Sequence, residues 1–319
     1  MTLIRNVYRK TKAVLHKPIW VNQPEHLQFD TQNTCNLNCE YCNVKINGCY
    51  KLPRGVMPTE TYEAVLRYYG HNLGLWCVAP FMNGEPLLDP RLPSLVSKAK
   101  EITGAPCAID TNGTVTRNRQ FLLHPNLTNV RFTISAATPE TYLKVHGKDL
   151  FNEAVNNFRW FNKNKHPNQT AWLHFITTEN NVHETEAWLN LFQGCNRTVF
   201  PVHTSPLQKN SIKSKSHDWQ PRPYAVLSDG TKTFLKPEPS NSLYPCPCWA
   251  IMGISWRGEI LQCVDYPYKY NYGKVGEVDL TRAWRERNKV GFDNDCCRDC
   301  SLKFSNGNNI LNSQKPKED

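Results

Sequence analysis

Cys35-Asn-Leu-Asn-Cys39-Glu-Tyr-Cys42 stands directly after a short β-rich run, LQFDTQN (27–33), and its C-x3-C-x2-C spacing decides how the rest of the chain is read. A loop this tight can fold three thiolates around one face of a cubane iron–sulfur cluster, leaving the fourth iron without a protein ligand. An open metal position is what substrate chemistry needs, whereas a closed ligand set serves structure. A zinc knuckle is the competing reading. It asks for a fourth local Cys or His, and the nearest, Cys49, lies seven residues on in a Gly-Tyr turn.

Outward from this loop the chain alternates. β-rich runs recur at CVAPFMN (77–83), PCAIDTNG (106–113), NVRFTISAA (129–137), AWLHFITTE (171–179) and RTVFPVHTS (197–205). Amphipathic stretches with helix-start signals lie between them. Pro58-Thr59-Glu60 opens TETYEAVLRYY with Thr59 as a candidate cap, Pro90 precedes RLPSLVSKAKEI, and Thr138-Pro139-Glu140 repeats the cap–proline–acid order. DLFNEAVNNFRWFNK and HETEAWLNLF also space apolar residues as a helix does. Six strands alternating with helices predict a parallel sheet of right-handed βαβ units. Six units are too few to close an eight-stranded barrel, so the expected fold is an α/β, partial (βα)6 TIM-like barrel. The three-cysteine loop then leaves the C-terminal end of the first strand, where α/β barrels place their active sites.

With the motifs at the following strand ends, the loop resembles the radical S-adenosylmethionine (SAM) superfamily, with Tyr41 at the family's aromatic position. The resemblance covers residues 25–205. Asn83-Gly84-Glu85-Pro86 closes the second run as the family's GEP-type motif does, which implies SAM-binding roles for Gly84, Glu85 and Pro86. Thr111-Asn112-Gly113 closes the third run, and Ser135 lies in the fourth run's ISAA; the resemblance puts Thr111, Asn112 and Ser135 near SAM. The residue chemistry agrees. An ionised Glu85 only accepts hydrogen bonds and suits an ammonium group, and Gly84 lets backbone approach a ligand closely. Of the fifth-strand pattern only HFITTE is found, with Thr177 or Glu179 as candidates. The resemblance implies a [4Fe–4S] cluster on Cys35, Cys39 and Cys42 that reductively cleaves bound SAM. The 5′-deoxyadenosyl radical then takes a hydrogen atom from substrate, while the protein supplies orientation and exclusion of water.

Beyond residue 205 the pattern changes. Residues 206–244 are rich in Pro, Ser and Lys without a periodic apolar face and read as a linker or irregular segment. A Cys-rich region, 245–319, follows: Cys246-Pro-Cys248-Trp249, then Cys263 five residues after Gly258, then Cys296-Cys297-Arg-Asp-Cys300. Gly258 suits a tight hairpin, and Cys297-x2-Cys300 puts two thiolates on one turn. Four thiolates saturate one auxiliary [4Fe–4S] cluster, and the set expected is Cys246, Cys263, Cys297 and Cys300, with Cys248 and Cys296 as the alternatives at their positions. The region resembles the SPASM/Twitch extension, including a stretch like GxVxLxxxW (Gly276, Val278, Leu280, Trp284). With no cysteine after Cys300, the shorter Twitch type with one cluster is favoured. A four-thiolate zinc ribbon is the alternative. Cys49, Cys77, Cys107 and Cys195 are isolated and read as small apolar residues.

Composition sets the outer bounds. Hydrophobic residues at 39% and charged residues at 21% of 319 residues fit a folded globular chain and exclude a disordered or collagen-like one. No apolar run is long enough to span a bilayer. The basic segment 1–24 lacks a continuous apolar core, which argues against a secretory signal and places the chain in the cytoplasm, a transit peptide or surface helix being the lesser option. Thirteen cysteines in such a chain read as metal ligands rather than a disulfide framework. The partners expected are a peptide or small-metabolite substrate and an electron donor such as flavodoxin or ferredoxin. No peptide-recognition domain precedes the barrel, which weakens ribosomal-peptide maturation. The net charge of +10, with Trp160, Trp219 and Tyr224 near basic residues, keeps nucleic-acid modification as a second reading. A non-enzymatic zinc protein is the third, and it leaves Glu85 and the strand-end motifs unexplained.

Overall fold

The computed structural model describes residues 23–46, 52–71, 74–202, 224–234, 247–264, 268 and 270–290. Six parallel strands form where the alternation predicts them: β1 (His26–Phe29), β2 (Cys77–Ala79), β3 (Cys107–Thr111), β4 (Leu127–Thr133), β5 (Thr170–Thr177) and β6 (Asn196–Pro201). Short helix α1 (Asn43–Ile46) follows the cysteine loop; α2 (Thr59–Tyr69), α3 (Leu92–Thr103), α4 (Pro139–His146), α5 (Phe151–Asn164) and α6 (Thr185–Leu191) make the crossovers.

Strand periodicity separates two faces. In β5, Ala171, Leu173, Phe175 and Thr177 are buried while Trp172, His174 and Ile176 between them are half-buried. The buried set packs under the helices. The buried stripes of α2 (Tyr62, Val65, Leu66, Tyr69) and α3 (Leu92, Leu95, Val96, Ala99), both at helical spacing, belong to the same hydrophobic core. The other face, carrying Gln28, Asp110, Thr133 and Ile176, lines the interior of the curved sheet.

Two findings extend the expected six strands. β9 (Ile251–Ile254) pairs in parallel with β1, His26 opposite Ile251, as a seventh parallel strand contributed by the Cys-rich region. β10 (Glu259–Leu261) turns back antiparallel on β9 through a turn in which Gly258 N–H donates to Ser255 O (2.8 Å), and β11 (Asn271–Lys274) continues it. At the far side, β7 (Tyr224–Val226) and β8 (Lys232–Phe234) form a hairpin on β6, within the stretch expected to be irregular. Asp229-Gly230 is a hairpin signal there, but three-residue strands show no alternation to accompany it. The order β11-β10-β9-β1-β2-β3-β4-β5-β6-β7-β8 makes one open sheet with β11 and β8 at its edges. Helix α7 (Leu280–Val290), the last among the described residues, includes Leu280 and Trp284 of the GxVxLxxxW-like stretch, with Trp284 fully buried. Among the described residues no helix is long and apolar enough to cross a membrane.

The helix caps divide. Thr138 accepts from Thr141 N–H and also donates to Glu184 Oε1 (2.6 Å), so it caps α4 as its sequence implies. Thr59 does not cap α2. Pro58 holds the cap position, and no side-chain bond forms there, because the extended backbone before the helix ends one residue earlier than the threonine. Thr138→Ala is therefore expected to cost about 1–2 kcal/mol in chemical denaturation and Thr59→Ala less than about 0.5 kcal/mol. Equal losses would contradict this assignment.

Candidate active site

The cysteine loop is held from both sides. Asn38 N–H donates to His146 O (3.1 Å) and Glu40 N–H to Val145 O (2.9 Å), so the end of α4 cradles the loop. Gly147 ends that helix with φ +78°, and a Cβ there would lie 2.9 Å from Asn38 O, so glycine serves both the left-handed turn and the close approach. On the β5 side, the Glu40 carboxylate accepts from Thr178 Oγ1 and Asn180 Nδ2, each at 2.6 Å.

Glu85 ties this loop to the next two strand ends. Its N–H donates to Thr34 O (2.9 Å), and its carbonyl accepts from Gln32 Nε2 (2.8 Å). Its buried carboxylate accepts from Leu87 N–H (3.0 Å) and Thr111 Oγ1 (2.6 Å) on Oε1, and from Asn112 N–H (2.8 Å) on Oε2. A carboxylate offers about four lone-pair sites, so one is left, on Oε2. Burial pushes this carboxyl up to about 7, against the pull of its three donors. Gly84 is required by space: a Cβ would stand 2.4 Å from Gln32 O. Asn112 continues the brace, donating to Asn36 Oδ1 (2.9 Å) and reaching Cys35 Sγ at 3.8 Å.

Eight of the expected site residues share one cavity of about 300 Å³: Cys35, Cys39, Cys42, Tyr41, Gly84, Glu85, Thr111 and Asn112. Pro86 and Ser135 stand outside its lining. Pro86 is buried in the 3-10 turn that Glu85 caps. Ser135 Oγ lies behind Tyr41, donating to its hydroxyl (3.3 Å) and accepting from Ile176 N–H (3.0 Å). In HFITTE neither candidate lines the cavity: Thr177 is turned to Phe200 O, Glu179 is exposed, and Ile176 is the lining residue. Sequence reading passed over Gln28, Asp110, Thr133, Met82 and Val264, all of them lining. The signal for the first three is their alternation with the helix-facing apolar residues. Asp110 pairs with Arg131 of the neighbouring strand on this face.

The three thiols fit a cationic, thiolate-bound group. Burial pushes Cys35 up to about 11, with Glu85 and Cys42 adding to it, and burial followed by Cys42 and Cys35 pushes Cys39 higher still. A bound cationic group would offset the mutual repulsion of these sulfurs and hold them as thiolates, releasing their protons. Among the described residues no group of three His, Cys, Asp or Glu side chains is arranged to hold a single ion. A cubane asks for something different, ligands on three separate irons.

The C-terminal residues reach the cavity rim. Tyr268 donates to the buried Asp30 carboxylate, which also accepts from Asn83 N–H (3.1 Å). Of the expected auxiliary ligands only Cys263 falls within the described residues; Cys246, Cys297 and Cys300 lie outside them, as do Cys49 and Cys296. Buried Arg287 of α7 donates to Cys248 O (2.9 Å), Trp249 O (3.0 Å) and Gln262 O (2.9 Å), drawing the Cys248 turn toward the residue before Cys263. Of the aromatics considered for nucleic acid, Trp160 has Arg119 over its ring (4.5 Å) and the buried Tyr224 has Lys232 over its ring (4.1 Å), while Trp219 is outside the described residues.

A family model described as the radical SAM superfamily matches residues 30–192, half of the chain. An uncharacterized protein of Methanocaldococcus jannaschii is 27% identical over 148 residues, 46% of each chain, so the match spans about half the length of that relative. Among solved structures, Streptococcus suis SuiB bound to precursor peptide SuiA has a TM-score of 0.62 at 15% identity, covering 92% of this chain and 73% of that one. anSMEcpe with bound AdoMet gives 0.59 at 15% identity (83% and 78%), and BtrN in complex with AdoMet and 2-DOIA gives 0.51 at 15% identity (87% and 92%). At this identity the likeness establishes the fold.

Glu85→Gln is expected to lower folding stability by about 1–3 kcal/mol, because an amide nitrogen on either branch faces Leu87 N–H or Asn112 N–H. SAM affinity should fall about tenfold to hundredfold in calorimetry. Unchanged stability would show that the carboxylate is not what joins the strand ends.

Proposed function

This chain belongs to the radical SAM superfamily and is an enzyme, and from that premise we propose that Cys35, Cys39 and Cys42 hold its SAM-binding [4Fe–4S] cluster. The observation that carries the reading is that all three thiols and the Glu85–Asn112 brace line one cavity at the C-terminal ends of parallel strands. When bound, cluster and SAM supply a 5′-deoxyadenosyl radical that abstracts a hydrogen atom from substrate. The remaining lone pair of Glu85 suits SAM's ammonium group, and Gly84 admits the close approach of Gln32 that holds Glu85 in place. Thr111 and Asn112 hold Glu85 in place, and Ile176 offers an apolar wall.

The substrate is a peptide or small metabolite. Gln28, Asp110 and Thr133 give the cavity floor hydrogen-bonding groups of both kinds, which suits a polar group beside the reacting C–H bond. A flavodoxin- or ferredoxin-type protein is the expected electron donor. For residues 245–319 we propose an auxiliary-cluster unit built on Cys263, Cys297, Cys300 and one of Cys246 or Cys248. Its support is the Arg287 clamp, which brings the Cys248 and Cys263 segments together beside an apolar Trp284. A second cluster next to the barrel would accept the substrate's electron in an oxidative outcome or shape the substrate pocket.

Two measurements check these assignments. Anaerobically reconstituted protein should release 5′-deoxyadenosine from SAM under reducing conditions, and the Cys35→Ala, Cys39→Ala, Cys42→Ala variant should release none; undiminished release would refute the barrel site. Iron analysis should find about eight irons per chain, falling by about four in Cys263→Ala, Cys300→Ala. Four irons and one zinc in the unmodified protein would replace the auxiliary cluster by a zinc ribbon.

A further inference from the structure

We propose that His146 is a positioning residue for the SAM-binding cluster: its Nδ1–H donates to the Cys39 sulfur and raises the reduction potential of the cluster that sulfur would hold. The inference rests on the reading of Cys35, Cys39 and Cys42 as cluster ligands. His146 belongs to none of the spaced motifs, and what marks it is its surroundings. It is fully buried at the end of α4, its ring stacked on Tyr142 (4.0 Å between centroids, 15° between planes).

The proton on this ring is fixed by its neighbours. Nε2 lies 3.0 Å from the backbone nitrogen of Ser135. An amide N–H can only donate, so Nε2 accepts, and the imidazole's single proton sits on Nδ1. A doubly protonated ring would set two donors against each other. Nδ1 lies 3.3 Å from Cys39 Sγ and 3.5 Å from the Tyr41 hydroxyl. Tyr41 is oriented by the same logic. Ile176 N–H donates to Ser135 Oγ, whose proton goes to the Tyr41 oxygen, and this leaves the Tyr41 proton for Cys39, to which it also hydrogen-bonds. Two backbone amides, of Ser135 and Ile176, thereby aim two protons at one sulfur.

A thiolate that accepts hydrogen bonds passes less charge to its iron. Reduction adds negative charge to the cluster, so the reduced state gains more from these donors, and the potential rises. The same bonds fix the direction of the sulfur toward the cavity. His146 thus lowers the demand on the electron donor before any substrate is engaged.

Two conservative variants separate the ring's two bonds. His146→Gln can keep an acceptor for Ser135 N–H but has no donor at the Nδ1 position, and His146→Asn keeps a donor near Nδ1 and gives up the Ser135 bond. Full-length protein is reconstituted anaerobically, its iron counted, and the potential taken from the EPR signal that responds to SAM. Both variants should retain iron. His146→Gln should lower the reduced-to-oxidised ratio at a fixed potential about tenfold, roughly 59 mV for a one-electron couple. His146→Asn should stay within about threefold of wild type. A merely structural histidine predicts no shift in His146→Gln, and that result with iron retained overturns the proposal. If His146→Gln does not fold, a tenfold drop in His146→Asn overturns it instead. The Cys35→Ala, Cys39→Ala, Cys42→Ala protein separates the two layers of the claim. If it retains the SAM-responsive signal, the cluster assignment itself is wrong, and this inference falls with it.

Discussion

The buried carboxylate of Glu85 holds three strand ends in register, and the rest of the site depends on it. An ionised group taken out of water costs several kcal/mol unless donors replace the lost hydration. Here those donors come from the 3-10 turn after β2 (Leu87 N–H) and from the end of β3 (Thr111 Oγ1, Asn112 N–H), while the Glu85 backbone grips the start of the cysteine loop at Gln32 and Thr34. Each partner keeps the others in place, because a lost donor leaves a charge with nowhere to go. Asn112 then passes the constraint to Asn36 and Cys35, so one carboxylate governs where the first thiol stands.

The opposite side of the loop is held by α4. Its last carbonyls accept from Asn38 and Glu40, and His146 meets Cys39 from behind. The thiols are therefore placed by groups that need no metal, which is the preorganisation a redox site requires. The C-terminal residues take part in the same frame. β9 lies beside β1, Asp30 N–H donates to Ile254 O (2.8 Å), and Tyr268 reaches the Asp30 carboxylate. The strand β9 and Tyr268 of the Cys-rich region thus bear on Asp30 and Asn83 at the rim of the cavity.

Much of this was legible in the amino-acid order. Six strands and their helices follow from period and punctuation, because both patterns are local: Tyr62, Val65, Leu66 and Tyr69 lie on one helical stripe, and Thr138 stands where a cap belongs. The cysteine loop and the strand-end motifs are local too, and eight of their residues meet in one cavity. What escaped is non-local or short. β9 against β1 joins residues more than two hundred positions apart, and no pattern in Ile251–Ile254 announces its partner. The strands Tyr224–Val226 and Lys232–Phe234 are too short for alternation to show. The Ser135 hydroxyl bonds to Tyr41 and to Ile176 N–H, an arrangement set by packing rather than by the order of residues. His146 carries no spacing signal, since a single histidine ending a helix has many ordinary explanations.

The central claim is that the three-cysteine loop holds a cluster with one iron left for SAM. EPR of the anaerobically reconstituted, reduced protein, recorded with and without SAM carrying 15N in its amino group, tests it most directly. The account predicts a cluster signal that changes when SAM is added and that shows coupling to the labelled nitrogen. A protein that binds zinc in this loop, or a cluster whose signal is indifferent to SAM and its label, would contradict it.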